Sequence, residues 1–200
     1  MARASHTIHV TRQALALVSK ALEKLEVGEL ALARFGHEVE VVHEFGAGVL
    51  RGGAALGKFA FNQPATNVLR LIESSLGVLR SARERGSGSS DLWQLEIVIS
   101  DGICQDHERL RTVLRRAEEE RVMVVFIVVD APAQNGSEEN SIVSMLQPTI
   151  KTINGHMDIQ MERYLDSFPF QYFVVLRDVE ALPDVLAGTL RQFFERISED

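Results

Sequence analysis

Residues 95–102 read Leu-Glu-Ile-Val-Ile-Ser-Asp-Gly, and this segment indicates the architecture of the whole chain. Its β-branched apolar centre is typical of a strand that is buried on both faces of a sheet. We expect the strand to end at Ser100, directly before Asp101 and Gly102. Ligands of open α/β sheets bind at the carboxyl ends of the strands, so Asp101 is a candidate oxygen ligand for a hard cation. The simpler alternative is that Asp101 starts a turn or caps the next helix.

The composition is that of one soluble globular domain. The chain has 200 residues, of which 46% are hydrophobic and 24% are charged. Its net charge of −7 argues against a nucleic-acid surface and favours basic or cation-mediated partners. The single cysteine, Cys104, excludes a disulfide framework and indicates a reducing compartment. The longest apolar run, residues 122–129, is far shorter than the about 20 residues that span a bilayer, so we expect no membrane contact.

Apolar periodicity and turn residues predict alternating helices and strands. The predicted helices are residues 5–27, 65–85, 106–120 and 182–197, and the predicted strands are 29–35, 38–43, 95–100, 122–129 and 170–176. The first two strands are close enough to form an antiparallel hairpin at a sheet edge. The alternation as a whole predicts an α/β fold with a mostly parallel central sheet and helices on both faces.

Two segments depart from this alternation. Residues 131–164 are long and poorly periodic for a plain connection, which favours a functional insertion. Residues 86–90 read Gly-Ser-Gly-Ser-Ser, a flexible joint that is either a natural loop or a replacement for one.

Two motifs raise the alternative of an enzyme. Residues 52–58 nearly match a P-loop ending in Lys58, but Phe59 replaces the hydroxyl that would hold magnesium. This loop defines the alternative function, a small α/β nucleotide- or phosphate-binding enzyme. Cys104 and His107 resemble a nucleophile and its base, yet their position at a predicted helix start favours a solvated cap region.

Thr66 is the second candidate ligand. It stands at the start of the predicted helix 65–85, after a glycine-rich loop. A neutral hydroxyl and a carboxylate both suit magnesium, so Thr66 becomes a candidate metal ligand when it is considered together with Asp101. The simpler alternative is that Thr66 only caps the helix.

Four segments carry a resemblance to the von Willebrand factor A-type domain with a metal-ion-dependent adhesion site. They are residues 15–29, 61–67, 98–102 and 168–183. More narrowly, the chain resembles the domain of this type at the C-terminus of the giant AAA ATPases of ribosome assembly, to which the last segment is specific. The resemblance implies one Rossmann-like domain over residues 1–200, with an insertion at about 131–164.

The resemblance also implies a non-catalytic protein-binding module with Thr66 and Asp101 in a Mg²⁺ site. In that family the domain grips ubiquitin-like domains of pre-60S assembly factors. A carboxylate of the partner completes the magnesium shell, and the AAA ring of the parent protein then pulls. The implied location is the nucleus, in nucleolus or nucleoplasm, without direct contact with nucleic acid or membrane. A third alternative is a scaffold whose site no longer binds metal.

One departure from the family pattern concerns its first strand. The family places Asp-x-Ser-x-Ser at the end of a strand directly before the first helix, and this sequence does not contain that motif. We therefore interpret the chain as N-terminally truncated, with the first strand and three ligands missing. We expect that strand between the strands that end at Phe35 and Ser100, and we expect its loss to leave the 200-residue chain poorly folded or dependent on a strand from another chain.

Overall fold

The computed structural model describes residues 2–24, 28–48, 66–86, 92–130, 141–153 and 156–199. In chain order the elements are α1 (Ala2–Lys24), β1 (Leu32–Phe35), β2 (Val39–His43), α2 (Val68–Arg85), β3 (Gln94–Ser100), α3 (His107–Glu119), β4 (Val122–Val129), β5 (Leu146–Ile153), β6 (His156–Arg163), β7 (Tyr172–Leu176) and α4 (Leu182–Glu199). Short 3₁₀ turns lie at Tyr164–Ser167 and Val179–Ala181. None of the helices within the described ranges is long and apolar enough to cross a membrane.

A three-stranded parallel sheet of order β3-β4-β7 forms the centre of the domain. All eight residues of β4 are buried, as an uninterrupted apolar run in a middle strand requires. Ser100 at the end of β3 pairs with Val128, and Leu176 at the end of β7 pairs with Val129. The carboxyl ends of the three strands therefore meet at one edge, and the predicted parallel α/β sheet is confirmed.

Helices cover both faces of this sheet. Phe126 and Ile127 are neighbours in β4, so their side chains point to opposite faces, and both are completely buried. Phe126 packs in a cluster with α2 and α3, whereas Ile127 packs in a cluster with α1 and α4. Burial of one such side chain stabilises the fold by about 1.5–3 kcal/mol. The predicted arrangement of helices on both faces is confirmed.

The helix starts are set by capping side chains. The side chain of Asn67 accepts a hydrogen bond of 2.9 Å from the backbone N of Arg70 and caps α2. Asp106 caps α3 in the same way through Arg109, at 3.3 Å. Asp106 has φ 56°, a left-handed conformation that aspartate tolerates better than most residues. The capping role considered for Thr66 therefore belongs to Asn67.

The predicted hairpin of the first two strands is confirmed as β1 and β2, which pair antiparallel with Phe35 opposite Val39. In the described part of the chain it forms a sheet of its own and is not the edge of the central sheet. A groove of about 470 Å³ lies between β1 and β3 and is lined by residues 31–36 and 95–101. The expectation that a first strand is missing between the strands that end at Phe35 and Ser100 stays a prediction.

The segment 131–164 contains a second antiparallel hairpin, β5–β6, which pairs from Leu146 opposite Arg163 to Ile153 opposite His156. The sequence prediction assigned no secondary structure here, and the structure corrects it. Pro148 interrupts the apolar alternation of β5, which hides the strand from periodicity. The dipeptide Asn154-Gly155 between the two strands was the available signal, because it is typical of tight hairpin turns. Residues 131–140, the P-loop-like residues 52–58 and most of the joint at 86–90 lie outside the described residues.

Candidate metal centre

Asp101 stands directly after β3 with an exposed side chain. Its Oδ1 accepts hydrogen bonds from the backbone N of Ile103 at 3.2 Å and from the hydroxyl of Ser100 at 3.3 Å. Asp101 therefore does start a turn, as the simpler alternative proposed, while the helix cap is Asp106. Oδ2 makes no hydrogen bond to the described residues, so this oxygen is open to a cation.

Gly102 fixes the path of the loop behind Asp101. It has φ +83°, a conformation that side chains rarely adopt. A Cβ atom built on it would lie 2.7 Å from methyl carbons of Val128 and Ile142. Glycine is therefore required here both for its backbone conformation and for its close packing on β4.

Tyr164 holds the same loop from the other side. Its hydroxyl donates to the carbonyl oxygen of Gly102 at 3.0 Å and accepts from the backbone N of Cys104 at 2.8 Å. Burial raises the pKa of the Tyr164 phenol, so its proton stays in place as a donor. These bonds span about sixty positions of sequence, so local patterns could not have revealed them.

The prediction that Cys104 and His107 lie in a solvated cap region is wrong. Cys104 is buried and His107 is half-buried, because Tyr164 and Phe168 pack edge-on against the imidazole at 5.3 and 6.5 Å between ring centroids. Burial raises the pKa of the Cys104 thiol to about 12. Burial and the neighbouring Arg111 lower the pKa of His107. A thiol of this kind is a poor nucleophile, so the pair serves packing.

Thr66 is exposed and lies just outside α2. Thr66, Ser100 and Asp101 all line the groove between β1 and β3. The structure therefore brings the two ligands predicted from sequence, which are 35 positions apart, to one groove that runs along β3. Their role as metal ligands stays a prediction.

The donor set has the chemistry of a hard-cation site. A threonine hydroxyl and an aspartate carboxylate offer oxygen ligands, and Mg²⁺ needs only one or two protein carboxylates because it retains several waters. The described ranges hold no cluster of three or more His, Cys, Asp or Glu side chains that could bind a metal. Thr66 and Asp101 thus have the ligand chemistry that a Mg²⁺ site requires.

Asp130 is a second acidic residue at this edge, and the sequence reasoning missed it. It follows β4 as Asp101 follows β3, which was the available signal. Asp130 is 5% exposed, and its carboxylate accepts from the hydroxyl of Ser141 at 2.5 Å and the backbone N of Ile142 at 3.2 Å. Arg177 Nε lies 3.5 Å from it. Asp130 is therefore committed to anchoring the segment before β5 and is not open to a cation.

Glu96 is a further acidic residue that sequence reasoning missed, and it lines the groove from the middle of β3. Its carboxylate accepts a hydrogen bond of 2.8 Å from the hydroxyl of Ser75 on α2. Burial raises the pKa of Glu96 to about 7, and the hydrogen bond from Ser75 is a smaller, opposing influence on that pKa. The signal in the sequence was one acidic residue inside an otherwise apolar strand.

Solved structures of other proteins share the fold of this chain. The conserved hypothetical protein BatB from Bacteroides thetaiotaomicron matches with a TM-score of 0.56 and 11% identity, over 95% of this chain and 89% of that one. Proximal thread matrix protein 1 from the mussel byssus matches with a TM-score of 0.57 and 13% identity, over 91% and 41%. Another structure of that mussel protein, with a TM-score of 0.55, has a zinc-occupied MIDAS motif. The chain has the fold of a von Willebrand factor A-type domain.

Sequence comparison gives relatives that are named midasin. The chain is 34% identical over 195 residues to midasin of Dictyostelium discoideum, a match that covers 96% of the chain. It is 29% identical over 190 residues to midasin of Giardia intestinalis, covering 93%. The predicted resemblance is confirmed. The chain spans 3% and 4% of the length of these two relatives, and no family model matches it.

Proposed function

We propose that the chain is a metal-dependent protein-binding domain in which Asp101 and Thr66 hold Mg²⁺. The observation that carries this proposal is that two exposed oxygen donors from different elements line one groove, which runs along β3 up to Asp101. The similarity to midasin supports a binding module. The zinc-occupied MIDAS motif in a protein of similar fold supports a divalent cation at this edge.

The partner supplies a carboxylate that completes the metal shell. Asp101 is an exposed carboxylate in this groove, and a Mg²⁺ ion that it holds keeps coordination positions for an incoming ligand. The chain carries a net charge of −7, so a cation between the two proteins also offsets the repulsion of an acidic partner. By the resemblance to midasin, the partner is a ubiquitin-like domain of a pre-60S assembly factor, and binding takes place in the nucleus.

Calorimetric titration of the chain with such a ubiquitin-like domain, in Mg²⁺ and in EDTA, tests the proposal. Asp101→Ala should abolish the Mg²⁺-dependent binding. Thr66→Ala should weaken it less, because a neutral hydroxyl is a poorer ligand than a carboxylate. Glu84→Ala is the control, since Glu84 is an exposed carboxylate near the other end of α2. Binding that persists in EDTA would overturn the proposal.

A further inference from the structure

We propose that a pocket at the amino edge of the central sheet binds an extended acidic peptide that carries one apolar side chain. The pocket has a volume of about 260 Å³ and is lined by Trp93, directly before β3, and by the first residues of β4 and β7. Because Asp101 follows the other end of β3, the pocket and the candidate metal centre lie at opposite edges of the sheet. This binding activity goes beyond the proposed function and does not need a metal ion.

The strand β4 extends beyond β7 at the amino edge. Residues 122–124 pair with residues 94–96 of β3, whereas the first residue of β4 that pairs with β7 is Val125, opposite Tyr172. Within the described ranges, positions 122–124 therefore have no strand partner on the side of β7, and these three residues line the pocket. An open strand edge can pair with the backbone of an extended peptide, which then becomes an added strand.

The wall of the pocket is largely apolar. Val122 and Met123 form its floor at 3% and 4% exposure, and Leu114 of α3 borders it. The half-buried rings of Trp93 and Tyr172 also line it, and both residue types are frequent anchors at protein-binding sites. Sites for drug-sized molecules have volumes of about 300–1,000 Å³, so this smaller pocket suits a single apolar side chain.

The rim of the pocket carries one positive charge that is not compensated. Three arginines and two glutamates line it. Arg111 Nη1 lies 2.5 Å from Glu108 Oε1, and Arg196 Nη2 lies 3.0 Å from Glu118 Oε1. Arg115 is exposed and forms no ion pair with the described residues. Two of the three guanidinium groups are thus neutralised by carboxylates, and the third is available to a ligand.

The uncompensated guanidinium favours an acidic ligand. A planar guanidinium binds a carboxylate through two parallel hydrogen bonds, and such charge-assisted bonds are stronger than neutral ones. The Cζ atom of Arg196 lies 5.8 Å from the centre of the Trp93 ring, so a second cation stands beside the apolar wall. A chain with a net charge of −7 repels nucleic acid, so an acidic residue beside an apolar residue in a peptide fits the pocket best.

Fluorescence polarisation in EDTA tests the inference with the full chain and labelled peptides of the pattern Glu-Asp-x-Asp-Glu, where x is Leu, Ile, Phe or Trp. EDTA removes the metal that would draw the peptide carboxylates to Asp101. We expect at least one peptide to bind, Arg115→Ala to weaken it about tenfold, and Arg115→Glu to weaken it further. Arg191→Ala is the matched control and should stay within twofold, because Arg191 is exposed on α4 and does not line the pocket. All three variants should keep the melting temperature, since both side chains are exposed.

N-methylation of the peptide backbone tests the added strand. Successive amides of an extended peptide point to opposite sides, so alternate N–H groups face β4. Of two peptides that are N-methylated at adjacent positions, one should lose about tenfold in affinity and the other should bind as before. If neither methyl group weakens binding, the strand pairing at residues 122–124 is wrong.

The outcomes keep this inference separate from the proposed function. If no peptide binds in EDTA more tightly than about 1 mM, or if neither Arg115 variant weakens binding, the inference is wrong and the metal proposal stands. Binding of the peptides only in Mg²⁺ would assign them to the metal centre and would also overturn the inference. An oligothymidylate that binds the pocket more tightly than the peptides would assign it to nucleic acid instead. If the ubiquitin-like domain still binds in EDTA while the peptides behave as expected, the proposed function fails and this inference stands.

Discussion

The hydroxyl of Tyr164 lies 3.0 Å from the carbonyl oxygen of Gly102, so the residue that ends the β5–β6 hairpin also holds the loop that presents Asp101. The same hydroxyl receives the backbone N–H of Cys104 at 2.8 Å. His107 contacts it at 3.2 Å through Nε2. One buried side chain thereby couples the hairpin to the candidate metal centre.

Tyr164→Phe should lower the free energy of unfolding by about 1–3 kcal/mol, because it leaves buried polar groups of Gly102 and Cys104 without their partner. It should also weaken Mg²⁺-dependent binding, since the loop behind Asp101 loses its support. Urea denaturation and calorimetry measure the two effects. Tyr172→Phe is the control, because within the described part of the chain its hydroxyl accepts a single contact, at 3.5 Å from Gln171. An equal cost there would contradict the role of Tyr164.

Gly102→Ala should destabilise the chain by about 1–3 kcal/mol from overpacking alone, because the new Cβ would lie 2.7 Å from side-chain atoms of Val128 and Ile142. The positive φ of residue 102 would add backbone strain to this cost. Gly188→Ala is the matched control. Gly188 lies inside α4, where a Cβ would have no neighbour within 4 Å, so alanine should stabilise the helix by about 0.5–1 kcal/mol. Thermal denaturation checks both variants, and a shift in the same direction for both would refute this account of the loop.

The sequence predicted those parts of the fold that depend on local pattern. β4 was predicted to the residue, because its continuous apolar run reflects burial on both faces. Asp101 was identified because it ends a strand. Asp130 also follows a strand and could have been identified by the same signal. Tyr164 was missed because its role depends on a tertiary contact with Gly102.

Cys104 should resist alkylation by iodoacetamide in the native protein at pH 8. The thiol is buried and its pKa is raised to about 12, so almost none of it is thiolate. Mass spectrometry with and without denaturant measures the labelled fraction, which should become complete only on unfolding. Rapid labelling of the folded chain would show an accessible thiolate. It would then support the interpretation of Cys104 as a nucleophile with His107 as its base.

Glu96 should make the stability of the chain fall as pH rises. Burial raises its pKa from 4.5 to about 7 in the folded state, so between these values the folded chain binds more protons than the unfolded chain. The unfolding free energy therefore begins to decrease near pH 4.5. The decrease is complete above pH 7 and is on the order of 3 kcal/mol at most. The lowered pKa of His107 acts in the opposite sense, with stability lost as pH falls below 6.5.

Comparison with Glu96→Gln isolates the contribution of this carboxyl. The amide is uncharged at every pH, and its oxygen still accepts the hydrogen bond from Ser75. The variant should match the parent chain near pH 4.5 and exceed it by up to about 3 kcal/mol at pH 8. Urea denaturation across this range gives the difference, with the exposed Glu73→Gln on α2 as the control. A difference that does not change with pH would show that Glu96 titrates alike in the folded and unfolded chains, and the groove beside β3 would then be well solvated.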